Sequence, residues 1–573
     1  MSNPHGTGAK PTLADVDSEV AKNESLSATR RRDLRSAISR VAALLGEEPA
    51  HLPVELENIA ARLATITPAA VGMTAKTLAN VRSDFLAAVR QSGLKPVLAS
   101  AKTELSPGWA TLMAQWPAKR HRLGLSRLAH YASTAGIDPR EVNDAVIERF
   151  IDEVRQGSLH QKPNVLHHKV ATIWNEVVGF MPAEGLSTVS KPSFRGPPKW
   201  VAWDTLTETF RADVEKYLTW CAVTDPFAED ARPRKLRRRT LKLRRSQIRT
   251  AVTELINSGV PSDSIKRLGD LVSLDYFRRI LRRRNEAVGG NIKTFNLDLA
   301  EALVQIAREW VKVDALTLAE LNKLLAKIPK PKRGLTAKNN RALGQFDDPA
   351  VVARLHDLPS ALWAEVRRDQ KPNFRTLAKA QAAIGIALPT YMPVRLQNLH
   401  ALIFDEHVFL RDGRGATSSL EIPADEVKNQ ETALAFDIPP QIAKMLIEYR
   451  DRIAPKVIGR RPDRIFVRAD GKPKSEAMVA VLIKTYLWKR AGIKLTPHQF
   501  RHLGAKTILD DQSGEYETVR QLLGHKNLKT TTGFYTGIRT RRAGLHHQRL
   551  IDEEIARRPL YRRGRKRNGK SAF

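Results

Sequence analysis

Residues 496–537 read TPHQFRHLGAKTILDDQSGEYETVRQLLGHKNLKTTTGFYTG and bring His498, Arg501, His525 and Tyr535 into one short segment. A proline suits the first turn of a helix, and His498 and Arg501, three residues apart, would then share one helix face. His525 follows a turn that a glycine permits, and Tyr535 lies ten residues further on. Fixed cations and imidazoles can hold a phosphoryl group that a phenol attacks. The segment therefore predicts phosphate chemistry.

The composition points to a polyanionic partner. Lys and Arg number 95 against 61 Asp and Glu among 573 residues, which gives a formal net charge of +34 on a chain that is 42% hydrophobic. A folded chain with such an excess of positive charge most often binds nucleic acid. Cys221 is the only cysteine, which excludes an internal disulfide and any cysteine-based zinc module.

The sequence gives no sign of a membrane partner. No apolar run approaches the ~20 residues that a membrane helix needs, and the first residues lack the apolar core of a signal peptide. We therefore expect a cytoplasmic, nucleoid-associated protein of bacterial type.

Changes in composition divide the chain into segments. A typical domain has about 150 residues, so a chain of this length is expected to form three or four domains. Polar composition without periodicity predicts disorder or a linker, and helical periodicity predicts a domain. The predicted segments are a disordered N-terminus (1–26), a helical N-terminal extension that could be a second DNA-binding module (27–186), a linker (187–200), a helical DNA-binding domain (201–326), a second linker (327–340), a catalytic domain (341–548) and a basic tail (549–573).

A dense basic run lies inside the predicted DNA-binding domain. Ten of the eighteen residues from Arg232 to Arg249 are Lys or Arg, and none is acidic. Charge of this density repels itself unless phosphates neutralise it, so we expect the run to follow the DNA backbone rather than form a solvated face. The candidate DNA-binding residues are Arg237, Arg238, Arg239, Lys242, Arg244 and Arg245.

Two further basic residues stand at the ends of regular elements in the predicted catalytic domain. Arg395 comes just after an apolar helix, which we expect to be buried and which breaks near Pro393. Alternating apolar residues at 420–422 and 434–438 predict an antiparallel hairpin with Lys428 near its tip. Lys472 also lies in a predicted turn, so it is the alternative lysine for the site.

Three motifs resemble the tyrosine recombinase, or phage integrase, family: PHQFRH at 497–502, LLGHKNLKTTTGFY at 522–535 and YMPVRLQNLHAL at 391–402. The resemblance implies a mainly α-helical chain with helical N-terminal and core-binding domains and an α/β catalytic domain that contains a small antiparallel sheet. The sequence departs from the family at Pro393 and Asn398, where Gly and Glu are more usual. The interval from His525 to Tyr535 is also one residue longer than the commonest one.

The resemblance also implies a role for each residue. Tyr535 would attack a DNA phosphodiester and form a 3′-phosphotyrosyl intermediate. Hydrogen bonds from Arg395, Arg501 and His525 would stabilise the transition state, Lys428 would protonate the departing 5′-oxygen, and His498 would take or orient the phenol proton. Neither ATP nor a metal is needed, so no cofactor is expected.

The implied function is site-specific recombination, as the integrase or transposase of a mobile element. Expected partners are double-stranded DNA, further copies in a homotetramer on paired DNA sites, and companion recombinases or accessory DNA-bending proteins. A hairpin telomere resolvase and a type IB topoisomerase would use similar residues, and an inactive DNA-binding accessory protein is the remaining alternative.

Two other interpretations of the motif residues are weaker. Tyr516 or Tyr561 could replace Tyr535 as nucleophile, but neither lies beside a motif. His498 and His502 are four residues apart, as in the H-E-x-x-H zinc helix, but Gln499 stands where that motif has its glutamate base. A zinc protease is therefore disfavoured.

Overall fold

The computed structural model contains two compact units, Met1–Pro192 with Gly334–Phe573, and Ser193–Arg333. The residues that the structure describes are 10–95, 97, 104–116, 118–194, 200–223, 232, 235–286, 294–330, 334–411, 417–427, 433–512, 514–535 and 540–557. The fold is mainly helical with one small antiparallel sheet, as predicted.

The N-terminal part of the first unit is helical and has two hydrophobic cores, one within residues 13–89 and one within 109–189. Its helices are α1 (Leu13–Lys22), α2 (Ala28–Leu45), α3 (Leu56–Leu63), α4 (Ala75–Ser92), α5 (Pro107–Ala114), α6 (Lys119–Thr134), α7 (Asp144–Gly157) and α8 (Pro163–Phe180). A short 3₁₀ helix, Pro68–Val71, lies between α3 and α4.

The prediction that residues 1–26 are disordered is wrong for α1. Thr12 and Asp15 form a capping box that satisfies the first backbone N–H groups of this helix. Leu13, Val16 and Val20 lie on one face and are fully buried. Their spacing of three and four residues is helical, but Gly and Pro nearby obscured it.

The second unit is a helical domain with its own core. Its helices are α9 (Glu208–Ala222), α10 (Arg238–Asn257), α11 (Leu268–Leu271), α12 (Leu274–Glu286), α13 (Thr294–Ile306), which continues as the π-helical turn Ala307–Val311, and α14 (Ala315–Ala326). The part of the basic run from Arg238 to Arg249 therefore forms the start of a long helix.

The C-terminal part of the first unit holds the remaining helices and the sheet. The helices are α15 (Ala337–Gly344), α16 (Pro349–Arg368), α17 (Phe374–Tyr391), α18 (Leu396–Ala401), α19 (Pro440–Glu448), α20 (Pro455–Ile458), α21 (Glu476–Tyr486), α22 (Pro497–Asp511), α23 (Tyr516–Leu523), α24 (Leu528–Tyr535) and α25 (Thr540–Arg557). The strands are β1 (Val408–Phe409), β2 (Ser418–Ile422) and β3 (Leu434–Ile438). Two π-helical turns, Tyr449–Ile453 and Leu487–Ala491, extend α19 and α21.

Helix α17 lies at the centre of this core, because every residue from Ala380 to Pro389 is buried. A helix that is apolar on all sides is stable only when other elements cover it. The predicted hairpin is confirmed: β2 and β3 pair antiparallel, with Leu420 opposite Phe436 and Ile422 opposite Leu434. Strand β1 adds to β2 at the other edge.

Two predicted segment boundaries fall inside helices of the structure. Helix α15 begins inside the predicted linker 327–340, since the Thr336 side chain caps it by accepting from the Asn339 N–H. Helix α25 runs through the predicted boundary at residue 548 into the basic tail. Residues 558–573 of that tail lie outside the described residues. None of the described helices is both long enough and apolar enough to cross a membrane.

We expect Gly492→Ala to destabilise the contact between the N-terminal and C-terminal parts of the first unit. Gly492 has φ +69°, and a Cβ added there would lie 2.8 Å from the backbone N and Cα of Ala70. We predict a loss of about 2–4 kcal/mol in the free energy of unfolding, measured by urea denaturation, together with faster proteolysis between the two parts.

Gly459→Ala is the matched control. Gly459 has φ +78° but no described atom lies within 4 Å of its added Cβ. Only the backbone penalty of about 1–2 kcal/mol should then appear. Equal losses in the two variants would contradict the tight approach at Ala70.

Candidate active site

Arg501 ties three segments of the site together. It lies on the first turns of α22, is only 3% exposed, and donates from Nη1 to the Pro393 carbonyl (2.7 Å) and from Nη2 to the Leu523 carbonyl (2.5 Å). Burial, and the neighbouring charge of Arg395, lower the pKa of Arg501 to about 9. Two carbonyls therefore fix the plane of this guanidinium without neutralising it.

Arg395 is the second cation of the site. It is the N-cap residue of α18 and lies four residues after the end of α17 at Tyr391. Its Nη1 atom is buried and has no hydrogen-bond partner among the described residues. Burial lowers the pKa of its guanidinium. Two desolvated guanidinium groups close enough to repel each other form a strong anion site, because a bound anion would relieve both costs.

His525 faces both cations from the turn after α23. Gly524 ends that helix in the left-handed conformation, with φ +55°, as the sequence predicted. The Nδ1 atom of His525 lies 2.9 Å from the Thr531 hydroxyl. Burial, then the charges of Arg501 and Arg395, lower the pKa of His525 to about 4. This imidazole is therefore neutral at pH 7 and can donate one hydrogen bond to an anion.

Tyr535 ends α24 and is 2% exposed. Its hydroxyl lies 2.8 Å from Nδ1 of His502. Burial raises the pKa of the phenol to about 12, although the charge of Arg501 opposes the shift. The nearby guanidinium and imidazole place the phenol beside the anion site.

His502 is the residue that sequence reasoning missed. It was considered only as half of a zinc motif, although it adjoins Arg501 and shares a helix face with His498. His498 is exposed, and its ring meets the ring of His502 edge-on at 5.1 Å between centroids. The imidazole in hydrogen-bond contact with the phenol is thus that of His502.

Lys428 lies outside the described residues, so its placement stays a prediction. The described chain just before it is held by two side chains: Asn398 donates to the Glu426 carbonyl (3.3 Å), and His407 Nε2 lies 3.2 Å from both oxygens of the Glu426 carboxylate. The alternative, Lys472, is exposed in a turn.

One group of side chains has the composition of a metal site. Glu406, His407 and Glu426 are the only His, Cys, Asp or Glu trio with suitable spacing in the described part of the chain. Nδ1 of His407 accepts from the Ile403 N–H (3.3 Å), which leaves Nε2 to donate to Glu426. With both ring nitrogens used, this imidazole holds the chain before Lys428 and offers no free ligand atom.

The basic helix of the second unit presents only part of the predicted DNA-binding set to solvent. Arg237, Arg238, Arg239 and Lys242 are exposed. Arg244 is 8% exposed and donates to Gln305 (2.5 Å), so it points into the helical core. It lies one, two and three turns before the buried residues Ile248, Ala251 and Leu255, which explains its burial.

Acidic partners come from other helices of the second unit. Arg245 pairs with Glu215 at 2.5 Å, and Arg232 pairs with Glu309 at 2.9 Å. The basic run is therefore partly neutralised by tertiary contacts that its own sequence does not show.

We expect the free energy of unfolding to fall as the pH is lowered from 6.5 to 4. Burial, and then the neighbouring His498, Arg501 and His525, lower the pKa of His502 to about 4, from an ordinary value of 6.5. The unfolded chain takes up a proton in this window that the folded chain does not, so the full stability is present above pH 6.5 and is lost toward pH 4. For His502 the loss is on the order of 3 kcal/mol.

Urea denaturation at several pH values measures this loss. His502→Asn removes the titrating group, so its unfolding free energy should depend less on pH in the same window. An unchanged slope in that variant would contradict a buried, neutral His502.

Residues 381–542 match the sequence model of the phage integrase family. Tyrosine recombinase XerC of Staphylococcus epidermidis is 27% identical over 182 residues, which are 31% of this chain and 54% of the relative. Tyrosine recombinase XerA of Pyrococcus horikoshii is 36% identical over 80 residues, which are 14% of this chain and 27% of the relative. The chain thus spans about half the length of the first of these relatives.

Two solved structures are similar to this chain at low sequence identity. A lambda integrase tetramer bound to a Holliday junction is 15% identical, covers 56% of this chain and 76% of that chain, and has a TM-score of 0.33. The Tn1549 transposon integrase in complex with circular intermediate DNA is 16% identical, covers 55% and 94%, and has a TM-score of 0.31.

Proposed function

Because residues 381–542 carry a domain of the phage integrase, or tyrosine recombinase, family, we propose that the protein is a site-specific recombinase that breaks and rejoins DNA through Tyr535. The observation that carries this proposal is the pair of desolvated guanidinium groups beside a buried phenol. A scissile phosphodiester is the anion that satisfies both arginines and gives the phenol a target.

The proposed cleavage reaction assigns one role each to Tyr535, His498 and Lys428. The Tyr535 oxygen attacks phosphorus, the bond to the 5′-oxygen breaks, and a 3′-phosphotyrosyl enzyme remains. His498 takes the phenol proton and Lys428 gives a proton to the 5′-oxygen. Rejoining reverses these steps with a second 5′-hydroxyl. The phosphotyrosine conserves the energy of the broken bond, so neither ATP nor a metal enters.

The three remaining groups stabilise the transition state. Arg395 and Arg501 bind the non-bridging oxygens as planar donors, and neutral His525 donates a further hydrogen bond. Arg501 is already held by two carbonyls, whereas Nη1 of Arg395 is unpaired among the described residues. A bound phosphate would therefore stabilise Arg395 more than Arg501, because it supplies the hydrogen-bond acceptor that Nη1 of Arg395 lacks.

We propose that cations of the second unit bind the phosphates of the DNA backbone. The exposed cations are the N-cap residue Arg237 and, within α10, Arg238, Arg239 and Lys242. Arg244 is left out because it is buried, and Arg245 is partly engaged by Glu215. Contacts of this kind are independent of sequence, so affinity should fall steeply with salt.

We further propose a homotetramer on two paired DNA sites. Helix α25 exposes apolar side chains at Leu550, Ile551 and Ile555 beside three acidic residues at 552–554. A groove of about 980 Å³ in the catalytic part is lined by Trp488 and by cations. Those cations are Lys338, Arg341, Lys484, Lys489 and Lys494. The opposite charges and shared apolar character of helix and groove support contact between copies.

The proposed biological role is that of the integrase or transposase of a mobile element, acting on chromosomal DNA in the cytoplasm with companion recombinases or DNA-bending proteins.

A pool of nicked duplexes with randomised sequence tests the cleavage activity without knowledge of the target sequence. Covalent complexes that survive denaturant are collected, and the captured DNA is sequenced. We expect adducts with the wild-type chain and none with Tyr535→Phe.

The selected sequence then separates the alternatives. Two copies on supercoiled DNA give recombinant circles with a recombinase, sealed hairpin ends with a telomere resolvase, and relaxation alone with a topoisomerase. Absence of any adduct would leave only an inactive accessory protein and would refute the proposal.

A further inference from the structure

His502 lies at the end of a chain of hydrogen bonds that starts from the backbone of α22. The Thr496 N–H donates to Oε1 of Gln499 (2.8 Å), and Nε2 of Gln499 donates to Oδ1 of Asn339 (3.0 Å). Nδ2 of Asn339 lies 3.5 Å from Nε2 of His502, and Nδ1 of His502 lies 2.8 Å from the Tyr535 oxygen. Each member of the chain thus contacts the next through a specified atom.

The first donor fixes the direction of every later hydrogen bond. A backbone N–H can only donate, so Gln499 accepts through its oxygen and must donate through its nitrogen. Asn339 then accepts through its oxygen and presents an N–H to Nε2 of His502. A neutral imidazole carries its single proton on the other nitrogen. The proton of His502 therefore lies on Nδ1 and points at the phenol oxygen.

The surroundings of His502 keep it neutral. Its side chain is 8% exposed, and the groups that face it are the cation of Arg501 and the imidazoles of His498 and His525. A second proton would add a positive charge beside that of Arg501 in a buried space. His502 thus enters the reaction with one proton, already engaged with the nucleophile.

We infer that His502 is a catalytic residue that donates from Nδ1 to the Tyr535 oxygen and stabilises the negative charge that this oxygen carries as it attacks phosphorus. The inference rests on the proposed function of Tyr535. Because Nδ1 is already protonated, His502 is not the base: the phenol proton goes to His498, and Lys428 protonates the 5′-oxygen. His502 keeps its own proton throughout, and the charge of Arg501 also stabilises the negative oxygen.

The tautomer of His502 tests the inference without DNA. In the full chain labelled with ¹⁵N-histidine, long-range ¹H–¹⁵N spectra distinguish an Nδ1–H ring from an Nε2–H ring, and the signals missing from His502→Asn identify residue 502. We expect the Nδ1–H pattern at pH 7. An Nε2–H pattern would overturn the inference whatever the activity of the protein.

Cleavage of the captured DNA sequence tests the catalytic role. His502→Leu removes the donor and should slow formation of the covalent complex about tenfold to a hundredfold, as for a hydrogen bond to a charged group. His502→Asn places an amide N–H near the position of Nδ1 and should recover most of that loss. Denaturation midpoints of both variants control for folding.

Asn339→Asp reverses the last hydrogen bond of the chain, between residues 339 and 502, while preserving the shape of the side chain. A carboxylate at position 339 accepts from Nε2–H, so Nδ1 loses its proton and becomes an acceptor. We expect cleavage to slow as in His502→Leu. Cleavage that accelerates in Asn339→Asp, or that is unchanged in both His502→Leu and Asn339→Asp, would overturn the inference.

These results remain separable from those for the proposed function. If the wild-type chain forms no adduct that depends on Tyr535, the proposed function fails and the catalytic role of His502 fails with it. If that adduct forms and only the His502 and Asn339 variants behave otherwise than expected, the inference alone is refuted.

Discussion

Arg395→Met is expected to slow formation of the covalent DNA complex by about a hundredfold to a thousandfold while leaving the fold intact. Nη1 of Arg395 is buried without a hydrogen-bond partner among the described residues, and its charge lowers the pKa of Arg501. A methionine keeps much of the apolar stem and removes both the desolvated charge and the repulsion. The free energy of unfolding should therefore stay the same or rise.

Rates of adduct formation and urea denaturation measure the two effects. Arg461→Met is the matched control, because this exposed arginine of the same unit forms a surface ion pair with Asp451. Such pairs contribute about 0–1 kcal/mol, so neither quantity should change much. A rate near that of the wild type in Arg395→Met would show that no phosphate binds at this guanidinium.

Arg501→Met is expected to abolish cleavage and also to destabilise the protein. Removing this guanidinium leaves the carbonyls of Pro393 and Leu523 without their donors. We expect the free energy of unfolding to fall by about 2–4 kcal/mol, since each unsatisfied buried group costs about 1–3 kcal/mol and relief of the repulsion with Arg395 offsets part of this. Denaturation and adduct formation are measured as for Arg395.

The contrast between the two arginines is the critical result. Arg501→Lys keeps a positive charge but cannot donate to both carbonyls in one plane, so it should recover little of either quantity. If Arg501→Met unfolded at the same urea concentration as the wild type, the hydrogen bonds from this guanidinium would not stabilise the contact of α22 with the segment before α18 and the end of α23.

Much of the site could be predicted because its residues lie at fixed spacings within single elements. The spacing of His498 and Arg501 places both at the start of one helix, and the glycine before His525 ends the next one. The hairpin could be predicted from apolar alternation, which specifies one buried face and hence one register. Local periodicity was sufficient for each of these features.

The features that were missed depend on contacts between distant segments. Arg244 was assigned to DNA because no acid is near it in sequence, but helical periodicity places it on the buried face of α10. His502 could have been identified from its position one turn after His498, yet its role depends on Asn339, which is 163 residues away. Helical periodicity predicts which face of a helix a residue occupies. It does not predict which distant residue the side chain will contact, because that hydrogen bond forms only in the folded protein.

The measurement that tests the central claim most directly is identification of the amino acid bonded to DNA. Complexes captured from the nicked duplex pool are digested with a protease and a nuclease, and the nucleotide-bearing peptide is sequenced by mass spectrometry. We predict a phosphodiester on the oxygen of Tyr535, in the peptide that follows His525. A nucleotide on Tyr516, on Tyr561 or on a serine, or adducts that persist in Tyr535→Phe, would contradict the claim.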